Sequence, residues 1–277
     1  NKKTFRFYIA LWIAKCTSFI LKVLKRNATY MPGKIALTIC PNFLGMLEKP
    51  KKIVGVTGTN GKTTVCNMIN DILTANKFDF INNKYGSNID GGIATTLIQG
   101  SNGLGKAKKD LAVLEIDERS ANKIYPYITP TYLVCTNLFR DSLMRNAHTE
   151  FISDILNKYI PKETIMIENA DDLICSHIAE QNKKIYFSIA KLPTDLDHCE
   201  NITRDIRVCP KCNNKIEYEY VRYHHIGKAH CTKCDYKTPD ADYVLTNLDL
   251  ENKKMTVKSG EKEETYDMDV VYREGDK

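Results

Sequence analysis

Lys52-Ile53-Val54-Gly55-Val56-Thr57-Gly58-Thr59-Asn60-Gly61-Lys62-Thr63-Thr64 is the stretch that decides the fold. An apolar, β-type run enters a turn with two glycines, and a Gly-Lys-Thr triplet leads into a helix-type run over 63–76. Glycine lets the backbone turn tightly and aim its N–H groups inward. The helix that follows points its positive N-terminus at the same spot. In such a loop Lys62 reaches the β and γ phosphates of a nucleotide, and the Thr63 hydroxyl is a Mg²⁺ ligand. The general pattern has a glycine five residues before Gly61, where this chain has Val56, so Gly58 supplies the flexible position. The bland alternative, a chance glycine turn before a helix, gives no reason for strand, loop, Gly-Lys-Thr and helix to fall in that order.

Outward from this loop, strand-type runs at 111–116, 131–135, 164–167 and 184–188 alternate with helical ones such as 149–159. That alternation predicts an α/β fold with a mostly parallel sheet. A β-rich stretch at 216–223 and a hairpin formed by 243–250 and 254–258 follow. The Gly- and Lys-rich segment 100–109 reads as a mobile surface loop. Turn signals at Pro32-Gly33, Cys40-Pro41-Asn42 and Glu48-Lys49-Pro50 place a boundary near residue 51. This gives an N-terminal segment, 1–50, and a core, 51–277.

Residues 5–24 are apolar but interrupted by Arg6, Lys15 and Lys22, which argues against a membrane span. Lys15 also cuts any signal-type run, and no small-residue cleavage site follows it. The segment reads as a basic amphipathic helix packed on the body of the protein, with a position on a membrane surface as the alternative. With 43% apolar and 27% charged residues among 277, disordered and fibrous classes are excluded. The net charge of +6 is weak evidence for a polyanionic partner of any kind.

Of ten cysteines, four stand as Cys209-Pro210-Lys211-Cys212 and Cys231-Thr232-Lys233-Cys234, with 18 residues between the pairs. This spacing is that of a zinc site. Four thiolates fill a tetrahedral ion completely, so the site reads as structural, in a ribbon over about 205–238. Cys16, Cys40, Cys66, Cys135, Cys175 and Cys199 read as inert thiols in a reducing cytoplasm. His224, His225 and His230, between the pairs, read as solvent-exposed. Tyr218, Tyr220, Arg222 and Tyr223 mix aromatics with charge as nucleic-acid surfaces do. An ordinary half-buried hairpin shows the same alternation, and that is the preferred reading.

Thr57-Gly58-Thr59-Asn60-Gly61-Lys62-Thr63-Thr64 resembles the ATP loop of the Mur ligase family. Asn88-Ile89-Asp90-Gly91 is similar to that family's loop facing the phosphates, and Asn169-Ala170-Asp171-Asp172 to another of its signatures. Residues 27–37 and 136–145 (Thr136 to Asp141, Leu143 and Arg145) add to the likeness. Ser142 stands where many members have a metal-binding histidine. The resemblance implies nucleotide contacts from Gly58, Thr59, Asn60, Gly61, Lys62, Thr63, Thr64 and Asn88. It makes Lys62 and Glu115 the catalytic residues, with Thr63 and Glu115 on Mg²⁺. Asp117, Glu118, Asp171 and Asp172 read as solvated strand ends.

A four-cysteine ribbon set in such a core resembles the branch of the family that amidates lipid II. That branch phosphorylates the D-glutamate α-carboxylate with ATP and uses ammonia from a GatD-type glutaminase subunit. The product, D-isoglutamine, belongs to peptidoglycan biosynthesis, and the location implied is cytoplasmic, with a peripheral position at the inner membrane face. The resemblance further implies a closing C-terminal domain, which these residues do not provide. The alternatives are an amino-acid ligase of the same family, acting on a UDP-muramyl peptide or a folate, and a P-loop ATPase whose ribbon binds nucleic acid. The ribbon's basic residues only modestly outnumber its acidic ones, so a nucleic-acid partner is not expected.

Overall fold

The computed structural model describes residues 2–139, 149–200, 205, 206 and 208–268. They fall into two compact units. The first holds 1–167 and 177–184, the second 168–176 and 185–277.

The first unit begins with α1 (Phe5–Val23), α2 (Met31–Ile39) and α3 (Phe43–Met46). The phosphate-loop region follows as β1 (Lys52–Thr57) and α4 (Lys62–Ala75). Then come β2 (Phe80–Asn82), α5 (Asp90–Gln99), β3 (Leu111–Glu115), α6 (Ala121–Ile124), β4 (Tyr132–Cys135), α7 (Thr149–Tyr159) and β5 (Ile165–Asn169), whose last two residues are counted with the second unit. β1 lies between β3 and β4 and is parallel to both, with Val56 opposite Glu115 on one side and Val134 on the other. β2 extends the sheet, parallel to β3. On the far side the Ile165 N–H donates to the Thr131 carbonyl across 3.1 Å.

Central parallel strands are covered on both faces, which is why β1 reads as a nearly continuous apolar run. Val56, at the position where the general loop pattern has glycine, is fully buried and packs with Cys66, Val113 and Val134. Its side chain is core, which accounts for the departure.

α5 is buried all round, from Gly91 to Ile98. It has no polar face to announce it, and its threonine hydroxyls donate back to its own carbonyls, Thr95 to Gly91 at 2.8 Å and Thr96 to Gly92 at 3.1 Å. Segment 100–109 is a loop held by hydrogen bonds. Asn102 Oδ1 accepts from the N–H groups of Leu104 and Lys106, each at 2.9 Å. Lys15 Nζ donates to the carbonyls of Ile98 and Ser101, and Ser101 is buried.

In the second unit β6 (Lys184–Ile189) precedes a separate antiparallel hairpin, β7 (Ile216–Tyr223) and β8 (Ile226–Cys231). Then β9 (Tyr243–Asp249) pairs parallel to β6 and begins an antiparallel meander with β10 (Lys254–Ser259) and β11 (Lys262–Asp267). The expected hairpin of 243–258 is present, with β11 as a further strand.

Candidate nucleotide site and four-cysteine cluster

The loop between β1 and α4 is held from behind by the chain leaving β4. The Thr59 N–H donates to the Asn137 carbonyl at 2.8 Å, and the Asn60 N–H to Asn137 Oδ1 at 2.9 Å. Thr136 Oγ1 donates to the Asn60 carbonyl at 2.7 Å, and the Phe139 N–H to Thr59 Oγ1 at 3.0 Å. Gly58 sits at φ +125°, where a Cβ would lie 2.3 Å from Thr136 Oγ1 and 2.8 Å from the Asn137 carbonyl oxygen. Gly61, at φ +79°, is the left-handed N-cap of α4. The loop is thus clamped at its rear, and its helix N-terminus opens outward, where Thr63 and Thr64 are exposed. Unpaired N–H groups at such an end form an anion-binding site.

Lys62 Nζ reaches Glu118 Oε2 at 3.2 Å and also donates to the carbonyls of Gly58 and Thr59. Both side chains of that ion pair are largely buried, at 12% and 5% exposure. Glu118, expected as a solvated strand end, is therefore part of the site. The chain after β3 turns into a short 3₁₀ helix, Glu118–Ser120, which swings the carboxylate inward. Asp117 is buried as well. It caps that turn by accepting from the Arg119 N–H at 3.0 Å and pairs with the Arg119 side chain at 3.1 Å.

Glu115, at the end of β3, is gripped from several sides. Thr63 Oγ1 donates to its Oε2 at 2.9 Å and Asn88 Nδ2 to its Oε1 at 3.0 Å. Asn83, which no sequence motif marks, ties down its backbone. Asn83 Oδ1 accepts from the Glu115 N–H at 2.8 Å, and Asn83 Nδ2 donates to the Glu115 carbonyl at 2.9 Å. The structure thus brings Lys62, Thr63, Asn88 and Glu115 together. Thr63 Oγ1 and Glu115 Oε2 are adjacent hard oxygens, the donor type Mg²⁺ prefers. Nearby, burial and then the Glu115 charge push the Cys66 thiol up to about 12, so Cys66 is an inert core thiol. Residues 140–148, which include Asp141, Ser142, Leu143 and Arg145, lie outside the described residues.

In the second unit Cys209, Cys212, Cys231 and Cys234 converge, with all four sulfurs within 4.8 Å of one another. The Cys209–Cys234 and Cys212–Cys231 sulfurs are 3.5 and 3.4 Å apart. Four sulfurs at about 2.3 Å from a central zinc stand about 3.8 Å from each other, so the arrangement fits that ion. Asn214 Nδ2 donates to the Cys212 sulfur at 3.4 Å, and such a donor favours the thiolate a metal needs.

The other acids and histidines depart from expectation. His225 is buried, while His230 is exposed. His225 Nε2 lies 2.9 Å from Asp172 Oδ1 and its Nδ1 3.2 Å from Asp205 Oδ2. Burial opposes its charge, but Asp172 and then Asp205 outweigh that and raise its titration to about 9. Asp171 is also buried and pairs with Arg222 at 3.0 Å, while Asp195 takes the same guanidinium at 2.9 Å. Asp171 and Asp172 are thus internal partners and not solvated ends, because β7 and β8 cover them. Arg222 is spent on these contacts.

The Mur ligase middle domain matches residues 56–230. Over 248 residues the chain is 31% identical to the lipid II isoglutaminyl synthase (glutamine-hydrolyzing) subunit MurT of Staphylococcus aureus (strain COL), covering 88% of this chain and 55% of that protein. The MurT subunit of Streptococcus pneumoniae (strain ATCC BAA-255 / R6) is 36% identical over 246 residues, 87% of this chain and 53% of its own length. The chain spans about half the length of these curated relatives. Among solved structures, a pseudomurein peptide ligase type C from Methanothermus fervidus superposes with a TM-score of 0.58 at 24% identity. It covers 83% of this chain and 44% of that one. This likeness shows a shared α/β fold.

Proposed function

The chain belongs to the Mur ligase family, and on that premise we propose that it is the nucleotide-binding core of a synthetase subunit that amidates lipid II. The observation that carries this reading is the meeting of Lys62, Thr63, Asn88 and Glu115 at the mouth of the clamped loop, in a chain similar to MurT subunits.

In this reading the loop N–H groups and the α4 N-terminus hold the phosphates of ATP. Lys62, drawn from Glu118 by the greater charge of a triphosphate, neutralises the transferring phosphoryl. Thr63 and Glu115 would hold Mg²⁺, which would supply charge neutralisation to the phosphates, and Asn88 fixes the Glu115 carboxylate. Positioning and charge neutralisation are most of what a protein contributes to phosphoryl transfer. The γ-phosphoryl passes to the α-carboxylate of D-glutamate in the stem peptide. Ammonia then attacks the acyl phosphate, and inorganic phosphate leaves as D-isoglutamine forms. A GatD-type glutaminase subunit supplies the ammonia. Cys209, Cys212, Cys231 and Cys234 hold a structural zinc ion.

The test supplies the full gene product with lipid II, ATP, Mg²⁺ and ammonium, and follows the stem-peptide mass. The expected result is the acid-to-amide mass change, dependent on ATP and lost in Lys62→Ala. An ATP-binding, zinc-loaded protein that leaves lipid II unchanged would overturn the amidation reading. Trials with amino acids as acceptors would then follow.

A further inference from the structure

α1 has two apolar faces. Phe7, Ala10, Leu11 and Ala14 recur at helical spacing and are fully buried in the first unit. Phe7 stacks on Phe43 with ring centroids 4.9 Å apart. The opposite face carries Phe5, Ile9, Trp12, Phe19, Ile20 and Val23, which also recur at helical spacing. These side chains stand open, with Phe5 81%, Trp12 54% and Phe19 69% exposed. An ordinary packed surface helix would have a polar outer face. A contiguous exposed apolar stripe marks an interaction surface.

The charge around this stripe identifies what it meets. Eight Lys or Arg residues precede Glu48, and none of the residues before Glu48 is acidic. The remaining 32 basic and 34 acidic residues leave the rest of the chain at −2, so the whole positive excess sits in this segment. Arg6 and Lys15 are engaged with backbone carbonyls of Ile39, Ile98 and Ser101. Lys2, Lys22, Lys25, Arg26 and Lys34 are exposed. An aromatic-rich apolar stripe on a segment whose charged residues are all basic has the character of a helix lying in a lipid interface. No helix among the described residues is long and apolar enough to cross a membrane.

We infer that α1 docks the chain on an anionic lipid bilayer, with the Phe5–Val23 outer stripe in the acyl boundary and the flanking lysines and arginines on the headgroups. The inference rests on exposure and charge in α1. It deepens the lipid II reading by placing the chain at the surface that carries such a substrate, but it does not require amidation.

Trp12 is the single tryptophan of the chain and lies in the stripe, so its fluorescence reports this face directly. The experiment adds phosphatidylglycerol or phosphatidylcholine vesicles to the protein, without ATP or lipid II. The expected result is a blue shift with the anionic vesicles, quenching by lipids brominated in the acyl chain, and cosedimentation that weakens as salt rises. Phe19→Glu/Ile20→Glu, at two exposed positions, is expected to weaken binding at least about tenfold with an unchanged unfolding temperature. Lys25→Glu/Arg26→Glu should abolish the preference for anionic lipid. Absence of a blue shift, equal binding to both lipids, or a concentration-dependent dimer that shields Trp12 without lipid would overturn the proposal. Lipid II turnover is measured separately, so loss of either reading is seen on its own.

Discussion

Two glycines of one loop should differ sharply in what they tolerate. At Gly58 an added Cβ meets Thr136 Oγ1 at 2.3 Å and the Asn137 carbonyl oxygen at 2.8 Å, on a backbone at φ +125°. The threonine cannot swing aside freely, because its hydroxyl holds the Asn60 carbonyl at 2.7 Å. Backbone strain of about 1–3 kcal/mol and loss of a hydrogen bond worth about 1 kcal/mol combine to a cost of about 2–4 kcal/mol for Gly58→Ala. At Gly61, φ is +79° and no atom lies within 4 Å of the added Cβ. Gly61→Ala carries only the left-handed penalty of about 1–2 kcal/mol. Urea unfolding of both variants without nucleotide measures the difference. A double variant, Gly58→Ala/Thr136→Ala, sharpens the test. With the clashing hydroxyl gone, it should be less unstable than the sum of the two single variants. Equal costs at Gly58 and Gly61, or strict additivity in the double variant, would refute the clamp argument.

Three further outcomes are expected. Glu115→Gln should keep the fold but lower Mg²⁺-dependent ATP turnover of the full gene product by about a hundredfold or more, since it removes the carboxylate charge beside Thr63; calorimetry of nucleotide binding with and without Mg²⁺ checks this. A chelator in mild denaturant should release about one zinc per chain, and Cys209→Ser should lower the zinc content measured by atomic absorption. His225 is charged in the folded state up to about pH 9, against 6.5 for an ordinary histidine. The stability it contributes is therefore complete below about pH 6.5 and lost as pH rises through about 9, a fall of about 3 kcal/mol that denaturant titrations across this window should show and His225→Ala should abolish.

The β1 to α4 passage was legible because chemistry and geometry constrain the same residues there. A loop that wraps phosphate needs glycine, lysine and threonine in a fixed order, and the flanking periodicity switches from strand to helix at that point. The four cysteines were legible for a similar reason, since a tetrahedral ion fixes ligand number and spacing. What the sequence hid was burial of polar groups by distant parts of the chain. Glu118, Asp171, Asp172 and His225 are each ordinary surface residues by type, and only their partners make them internal. α5 was hidden for the opposite reason, as small residues and self-satisfied threonines let a helix be buried on every face. The outer stripe of α1 combined both difficulties, because its periodicity was visible while the division between a packed and an exposed apolar face was not.

Asp171 and Asp172 show why adjacent acids can follow a buried strand without being solvated. The two divide the anchoring of one hairpin. Asp171 accepts from Arg222 and from the Ile189 N–H, while its carbonyl takes the Gly227 N–H at 2.8 Å. Asp172 holds His225 and also accepts from the N–H groups of Ile174 and Cys175, each at 2.9 Å. Arg222, near the end of β7, and His225, in the turn itself, both lie at the hairpin tip, so each aspartate secures one of them. The next residue, Leu173, packs with Cys209, Ile216, Cys231 and Tyr236 at the other end of the hairpin, and its carbonyl accepts from the Tyr236 hydroxyl at 3.0 Å. Three consecutive residues therefore fix both ends of the cysteine-bearing hairpin, the tip by buried ion pairs and the base by apolar packing. Deleting one member of a buried ion pair strands its partner's charge and costs about 3–5 kcal/mol. The hairpin thus has an attachment independent of its metal. A zinc ion at the four sulfurs would set the shape of the knuckles, while residues 171–173 set where the hairpin stands within its unit.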